Sequence, residues 1–433
     1  MTEVAKDLQD AEPETDGPSL WRQRDFMLLW SGQTVSVMGS AVTQVALPLV
    51  AVVALKASTF QVGLLTAAAT AAFALVALPA GALVDRGYKR SIMIVCDLLR
   101  LLLIGSLPVA AALGGLTMTQ LYLVALAAGV CTVFFDVSYQ SYLPSLVRTE
   151  QLMDANAKLG TTSAFSQLGG PSLGGGLVAA FGAAGAIAAD AISYLVSVVS
   201  ILGIRKREEP PRPRRADETL RSQIAEGLRF VVTHKILRKI VACTAIGNLF
   251  NSMNTALMMV FLIRVLHVRP GLTGLIMAGG SIGGMAGGML AGRLAKRIGS
   301  ARIIWVSMLV FAAPQVLAAA AWHGWGVLLV PLGWATGYFS MMVYNIAQLS
   351  YRQSVTPPEL MGRMNAAVRW VVWGTMPIGG ILGGLLGTVI GIRPTLWVSV
   401  IGFWGAGWLV FFSPLRHMRD IPHPEGGTEP ATS

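Results

Sequence analysis

Five charged side chains lie inside stretches of the sequence that are otherwise apolar. They are Asp97, Arg100, Asp136, Asp190 and Arg369. A charge inside a lipid bilayer is costly, so each of these side chains is a functional candidate. Burial favours the protonated form of a carboxylate, as a proton carrier requires, whereas a neighbouring arginine favours the charged form. Asp97, Asp136 and Asp190 are therefore candidates for proton coupling.

These charges can be arranged in more than one way. Asp97 and Arg100 lie one helical turn apart and are spaced to form an ion pair. Asp136 could carry a proton, or it could meet Arg100 or Arg369. Arg369 either neutralises Asp136 or faces an anionic substrate, and the sequence favours neither alternative.

Polar and aromatic side chains in other apolar stretches indicate the lining of a cavity. The candidates for substrate contact are Gln33, Gln44, Asn248, Asn251, Asn254, Tyr338, Tyr344, Asn345, Arg369, Trp370 and Trp373. Hydrogen bonding between helices is the alternative role for each polar residue. Nearby methionines (Met253, Met258 and Met341) would make such a pocket adaptable, which suits bulky lipophilic molecules.

The elements that carry these residues are long apolar helices. Of the 433 residues, 54% are hydrophobic and 13% are charged, and this charged fraction is about half that of a soluble domain. Stretches of about 20 apolar residues can cross a bilayer as helices, and the absence of strand-like alternation argues against a membrane barrel. We predict twelve spans, at residues 27–54, 60–84, 91–113, 119–142, 155–180, 183–204, 239–262, 271–292, 302–321, 326–350, 364–390 and 394–413.

Basic residues are sorted to one side of these spans. Of the 33 lysines and arginines, 27 fall on the side that carries both chain ends, and four fall on the opposite side. The positive-inside rule therefore predicts that both termini are cytoplasmic. The net charge of +11 then reflects topology and contact with anionic lipid headgroups, so nucleic acid is not expected as a partner. The polar, acidic residues 1–20 do not resemble a secretory signal peptide.

The two halves of the chain repeat each other. Gly81-Ala82-Leu83-Val84-Asp85-Arg86 recurs 211 residues later as Gly292-Arg293-Leu294-Ala295-Lys296-Arg297. Gly175-Gly176-Leu177 recurs after 208 residues as Gly383-Gly384-Leu385. Such repeats are common in transporters, where the substrate site lies between the two repeats. We therefore predict a cytoplasmic tail (1–26), a six-helix bundle (27–204), a linker with an amphipathic helix (205–238), a second six-helix bundle (239–413) and a cytoplasmic tail (414–433).

Several motifs resemble those of the major facilitator superfamily. The segment 81–90 resembles its loop motif between helices 2 and 3, although Tyr88 replaces a glycine there. Gly170-Pro171-Ser172-Leu173-Gly174-Gly175 resembles the helix 5 motif of its antiporters. The chain is most similar to the macrolide-efflux and enterobactin-exporter-like group, through Leu29-Trp30-Ser31-Gly32-Gln33, Ala46-Leu47-Pro48-Leu49, Asp190-Ala191-Ile192-Ser193-Tyr194, Glu226-Gly227-Leu228-Arg229-Phe230 and Gly362-Arg363-Met364-Asn365.

The resemblance implies roles for these motifs. Gly81, Asp85, Arg86 and Arg90 would form a gate that closes the cytoplasmic side, and Gly170, Pro171, Gly174 and Gly175 would indicate export rather than uptake. Because the third span is peripheral in this superfamily, a structural ion pair is favoured for Asp97 and Arg100. The fourth span, with Asp136, would line the central cavity together with spans 1, 7 and 10.

Enzyme chemistry is not expected. Gly279-Gly280-Ser281-Ile282-Gly283 fits a nucleophile-elbow pattern, but it lies in a glycine-rich helix rather than a strand-to-helix turn. The chain has no phosphate-binding loop for ATP, and its three cysteines have no metal-type or disulfide-type spacing. No cofactor or metal is therefore predicted.

We predict an all-α membrane protein of the cytoplasmic (inner) membrane. Its predicted function is proton-coupled export of a small lipophilic antibiotic, drug or secondary metabolite by alternating access, as a monomer. A siderophore exporter of the same fold, an importer, and a transport-inactive receptor or scaffold are the alternatives.

Overall fold

A computed structural model describes residues 20–84, 86–148, 151–206, 208 and 220–421. All regular structure within these ranges is helical. The helices are α1 (Arg24–Leu49), α2 (Thr59–Val84), α3 (Lys89–Ala112), α4 (Met118–Leu146), α5 (Leu152–Leu202), α6 (Leu220–Thr233), α7 (Leu237–Val260), α8 (Pro270–Ile298), α9 (Arg302–Val306), α10 (Val316–Ala320), α11 (Leu329–Val355), α12 (Pro358–Val389) and α13 (Ile392–Phe411).

The chain is a multi-pass membrane protein. In the described part of the chain, 11 helical segments are long and apolar enough to cross a membrane. Short π-helical turns extend α1 to Ala54 and α7 to Val265, and α9 and α10 belong to one segment, Arg302–Ala320.

Helix α5 contains two arms that run in opposite directions. It has 51 residues, and a straight helix of that length would measure about 75 Å, more than twice the thickness of the hydrocarbon core. Gly182 interrupts it with a φ of 72°, a value that glycine adopts readily. Along α1, Gly170 of the first arm packs against Ala41, whereas Ser200 of the second arm packs against Gly32. The sequence predicts two spans here, at 155–180 and 183–204.

The helices of each half of the chain pack mainly with one another. In the first half (residues 20–208), α1 packs on α5, α2 on α4, and α3 on both α4 and α5. In the second half (residues 220–421), α7 packs on α12 and α13, and α8 packs on α11. Contacts between the halves are made by α2 with α12 and α7, and by α5 with α8.

The contacts between the halves that the described residues show lie mainly on one side. We call the side where α1 begins and α13 ends the terminal side, and the opposite side the far side. On the far side, Arg264 donates a hydrogen bond to the carbonyl oxygen of Ala57, and the backbones of Gly63 and Gly384 are so close that a Cβ on Gly63 would lie 2.5 Å from the Cα of Gly384. A Cβ added at Gly81, Gly160, Gly292 or Gly362, all near the terminal side, would meet no atom within 4 Å.

From the position of these contacts we infer a cleft between the halves that opens toward the terminal side. Its inner end is marked by Phe73 and Trp373, whose rings meet edge to face with their centroids 4.8 Å apart, near the middle of α2 and α12.

Both halves use a carboxylate from the segment after their last helix to bind a backbone N–H at a helix start. Glu208 accepts hydrogen bonds from the backbone nitrogens of Lys89 and Arg90 at 2.8 and 3.1 Å. Asp420 accepts from the backbone nitrogen of Ser300 at 2.9 Å, and this bond lowers the pKa of Asp420. Lys89 and Ser300 are 211 residues apart, and Glu208 and Asp420 are 212 apart, which matches the repeat distance of the sequence.

The amphipathic helix α6 is attached to the second half. Glu226 forms an ion pair with Arg363 at the start of α12, and Gly227 lies directly against the backbone of Arg363. His234 follows α6, and its Nδ1 accepts hydrogen bonds from the backbone nitrogens of Ile236 and Leu237 at 3.3 and 3.2 Å. Burial lowers the pKa of His234, which favours the neutral ring that can accept these bonds. The amphipathic helix that the sequence predicts within the linker (205–238) is present at Leu220–Thr233.

Candidate functional site

Arg100 forms the centre of a buried charge cluster in the first half. It is paired with Asp97 one turn earlier on α3, as the spacing predicts. The guanidinium lies over the rings of Phe135 on α4 and Tyr194 on α5, at 4.5 and 4.7 Å from their centroids. Arg100 is 4% exposed and Asp97 is 0% exposed, so this pair is removed from solvent.

Asp190 approaches the same arginine from the second arm of α5. Its carboxylate is 0% exposed, accepts a hydrogen bond of 3.2 Å from Ser193, and lies within electrostatic range of Arg100. Gly39 of α1 makes room for this group, because a Cβ there would lie 2.5 Å from an oxygen of Asp190. Tyr194 shares a hydrogen bond of 3.0 Å with Ser40, which links the cluster to α1.

Asp136 connects this cluster to the second half. It is half-buried on α4 and lies within electrostatic range of both Arg100 and Arg369. Arg369 of α12 is exposed, and its guanidinium lies 5.5 Å from the ring centroid of Trp373. The three predicted carboxylates therefore share one arginine, and one of them also interacts with an arginine across the cleft.

The predicted substrate contacts fall into two groups. The first group hydrogen-bonds within the second half: Asn248 donates to the Val372 carbonyl at 3.4 Å, Asn254 donates to Ser399 at 3.2 Å, and Tyr344 pairs with Thr244 at 2.8 Å. These contacts correspond to the helix-to-helix alternative.

The second group is at least partly accessible. Its members are Gln33, Gln44, Asn251, Tyr338, Asn345, Arg369, Trp370 and Trp373. Asn251 and Tyr338 line a small pocket together with Asn254, Trp334 and Met341, and Trp370 is 44% exposed.

The loop motif at 81–90 is bound to its own half. Arg90 donates a hydrogen bond of 3.0 Å to the carbonyl of Leu202, at the end of α5. Arg86 is exposed, and the surroundings of Gly81 are open. Asp85 lies outside the described residues. The described residues of this motif make no gate contact with the other half here. Such a contact would form in a different state, in which the terminal side is closed.

The glycines of the helix 5 motif pack two different interfaces. Gly170 and Gly174, one turn apart on α5, pack against Ala41 and Val42 of α1 in the same half. Gly175 packs against α8 of the other half, where a Cβ would lie 2.8 Å from the Cα of Gly274. The motif thus lies at the far-side contact between the halves.

The fold and these motifs agree with the comparisons to known proteins. Residues 17–425 match the model of a family of the major facilitator superfamily that is described as transmembrane secretion effector. The chain belongs to this family. It is therefore a transporter homologue and not an enzyme.

Characterised relatives and solved structures cover nearly the whole chain. The multidrug efflux pump Tap of Mycolicibacterium fortuitum is 25% identical over 410 residues, which are 92% of this chain and 97% of Tap. The enterobactin exporter EntS of Salmonella paratyphi A is 25% identical over 390 residues, 87% of this chain and 89% of EntS. A bacterial homologue of the iron transporter ferroportin, in its inward-facing state, superimposes with a TM-score of 0.73 at 17% identity, covering 90% of this chain and 98% of that one.

The structure adds a residue that the sequence interpretation missed. The predicted span 326–350 ends before Arg352, which therefore counted as a loop charge. Helix α11 continues to Val355, so Arg352 lies inside it and is 8% exposed. The role of Gly39 was also missed, because it depends on the position of Asp190 on the neighbouring arm.

Proposed function

We propose that this protein is a proton-coupled exporter of small lipophilic molecules that works by alternating access in the cytoplasmic membrane. The observation that carries the proposal is the set of three buried or half-buried carboxylates around Arg100, at the edge of a cleft between the halves. Carboxylates inside a membrane protein commonly form proton relays. Transport is supported by the family and by the two exporters among the relatives.

The proposed architecture is two six-helix bundles. When the two arms of α5 are counted as separate spans, the 11 segments become twelve spans. The distribution of lysine and arginine supports a cytoplasmic terminal side, so the open cleft corresponds to an inward-facing state. The lower TM-score of 0.60 with the outward-facing ferroportin homologue agrees with this assignment.

The proposed cycle opens the far side and closes the terminal side. Separation of Gly175 from Gly274 and of Gly63 from Gly384 would open the far side, while Asp85, Arg86 and Arg90 would form the gate on the cytoplasmic side. A change in protonation near Arg100 alters the charge balance between α1, α3, α4 and α5, and this would bias the two states. The expected partners are the transported molecule, protons and membrane lipids.

A siderophore exporter is the second candidate. Arg369 is exposed in the cleft, where it can meet an anionic molecule, and the relative EntS is an enterobactin exporter. The two candidates share the fold and the cycle and differ in the charge of the transported molecule.

Efflux assays test the proposal. Proteoliposomes with an imposed pH gradient would be loaded with radiolabelled erythromycin, tetracycline or ethidium, and the variants Asp97→Asn, Asp136→Asn and Asp190→Asn would be compared with wild type. At least one variant should lose gradient-driven efflux. The control is Asp154→Asn, which removes an exposed carboxylate paired with Lys158 and should transport normally. Normal efflux by all three cluster variants would refute coupling through this cluster.

A further inference from the structure

Arg352 and Arg369 form a cationic pair on the terminal-side parts of α11 and α12. Arg352 donates hydrogen bonds from Nη2 to Asn365 Oδ1 at 2.5 Å and to the sulfur of Met364 at 3.6 Å. Arg369 lies one turn after Asn365 on α12, and the two guanidinium groups are close enough to affect each other electrostatically. Among the side chains that the structure describes, no carboxylate lies within 4 Å of either arginine.

The helix periodicity places Arg352 on the same face of α11 as the residues that line a small pocket in the second half. Trp334, Tyr338 and Met341 line the small pocket near the middle of the bundle. Asn345, Gln348 and Arg352 continue this line at spacings of three and four residues, and such positions share one face of a helix.

Aromatic side chains stand next to the two arginines. Trp373 lies one turn beyond Arg369 and under its guanidinium, and Trp370 is exposed beside it. If the charged group of an organic molecule is held at the arginines, the apolar part of that molecule would therefore contact the flat tryptophan rings.

Without a ligand, the proximity of Arg352 and Arg369 raises the electrostatic free energy of the folded protein. Two like charges repel each other. Arg369 has Asp136 within electrostatic range, whereas the buried Arg352 has no carboxylate near it among the described side chains and loses solvation without compensation. The Nε of Arg352 and the Oε1 of Gln348 are buried and have no hydrogen-bond partner among the described residues. An anion between Arg352 and Arg369 would neutralise the charge and supply acceptors for both guanidinium groups.

We propose that Arg352 and Arg369, with Asn365 between them, bind the anionic group of the exported molecule, a carboxylate or a deprotonated phenol. Trp370 and Trp373 contact its aromatic part. This inference rests on the proposed export function and narrows its substrate class to amphiphilic organic anions.

Binding measurements on the purified full-length protein in phosphatidylcholine nanodiscs test the assignment without requiring transport. The probe is 1-naphthoate, and 1-naphthamide is its neutral match. Wild type should bind naphthoate at least about tenfold more tightly than naphthamide, because a charge-assisted hydrogen bond contributes about that factor. Arg369→Gln and Arg352→Gln should each weaken naphthoate binding about tenfold or more and leave naphthamide binding unchanged.

The controls separate this site from general effects. Arg297→Gln removes an exposed arginine on the terminal side and should bind both probes as wild type does. Arg352 is buried and its substitution can impair folding, so the exposed Arg369 provides the decisive variant. Equal affinity of wild type for naphthoate and naphthamide, or full naphthoate affinity in Arg369→Gln, would overturn the proposal.

Two further binding measurements distinguish an organic substrate from inorganic phosphate and from a lipid headgroup. Strong competition by inorganic phosphate, or loss of naphthoate binding in phosphatidylglycerol nanodiscs, would assign the site to phosphate groups and overturn the assignment to an organic substrate. The outcome is independent of the efflux assay. Intact naphthoate binding without pH-gradient-driven efflux of 1-naphthoate from proteoliposomes would refute proton-coupled export alone, and the reverse result would refute the anion site alone.

Discussion

Adding a side chain at Gly175 should force the far side open. Gly175 of α5 faces the backbone of α8, and a Cβ there would lie 2.8 Å from Gly274 Cα and 3.1 Å from Gly274 N. Carbon atoms normally approach to about 3.5–4.0 Å, so the two helices would have to separate by about 1 Å for the Cβ alone. Valine adds two methyl groups and requires a larger separation.

The added side chain raises the free energy only of the state in which α5 and α8 touch. Overpacking of this kind costs about 1–3 kcal/mol, which corresponds to a shift of about 5–150-fold in the ratio of the two states. The adjacent Gly176 supplies a matched control, because a Cβ there would meet no atom within 4 Å. Gly175→Val should thus favour the state with an open far side, and Gly176→Val should not.

Distances between spin labels can measure this shift. One pair of labels, at Leu113→Cys and Trp325→Cys, reports on the far side, where both side chains are exposed. A second pair, at Tyr88→Cys and Arg297→Cys, reports on the terminal side, where both side chains are exposed. The three native cysteines are buried, so background labelling should be low.

In Gly175→Val the far-side distance should increase and the terminal-side distance should decrease. Unchanged distances in Gly175→Val, or equal changes in Gly176→Val, would refute the idea that this contact closes the far side.

Three other predictions follow from the buried cluster and from the linker. Arg100→Gln should destabilise the purified protein by about 3–5 kcal/mol, because it leaves Asp97 buried without its partner, and thermal unfolding of Asp97→Asn/Arg100→Gln should show partial recovery. Gly39→Val should displace Asp190 and lower the melting temperature, whereas Gly105→Ala, where the nearest atom is 3.7 Å away, should have little effect. His234 has a lowered pKa in the folded protein, so its contribution to stability is complete above the unfolded value of about 6.5 and is lost as the pH falls below it. Hydrogen exchange at Ile236 and Leu237 should therefore show less protection at pH 5 than at pH 7.5 in wild type, but equal protection in His234→Asn, whose side-chain oxygen can accept the same bonds without titrating.

The sequence predicts local relations well. Asp97 and Arg100 are one turn apart on one helix, and their pairing depends only on helix geometry. Gly182 lies between two apolar stretches that are each long enough to span, so a break there is predicted from length alone. Family membership follows from short motifs such as Gly170–Gly175, and the family match confirms it.

Relations between distant helices are not accessible in this way. Asp190 reaches Arg100 from a helix that is 90 positions later, and no spacing rule connects them. Arg352 was assigned to a loop because hydropathy falls before the helix ends, although its backbone remains helical. Its contact with Asn365 depends on how α11 packs on α12, which the sequence pattern does not determine.

An anionic substrate would also constrain which carboxylate couples transport to protons. An anion at Arg369 shields this arginine from Asp136 and brings negative charge toward the carboxylate. Both changes favour a protonated Asp136, so anion and proton would bind together at this site. Antiport requires the opposite linkage, in which substrate binding releases a proton.

Proton release with an anionic substrate must therefore come from a different group. Asp190 is the suitable candidate, because it interacts with Arg100, whereas Asp136 interacts directly with the arginine that would hold the anion. We expect naphthoate affinity to rise with pH in wild type and in Asp136→Asn, and to lose this dependence in Asp190→Asn. An affinity that instead falls as the pH rises, and becomes independent of pH in Asp136→Asn, would identify Asp136 as the linked group and the protein as a cotransporter of protons and anions.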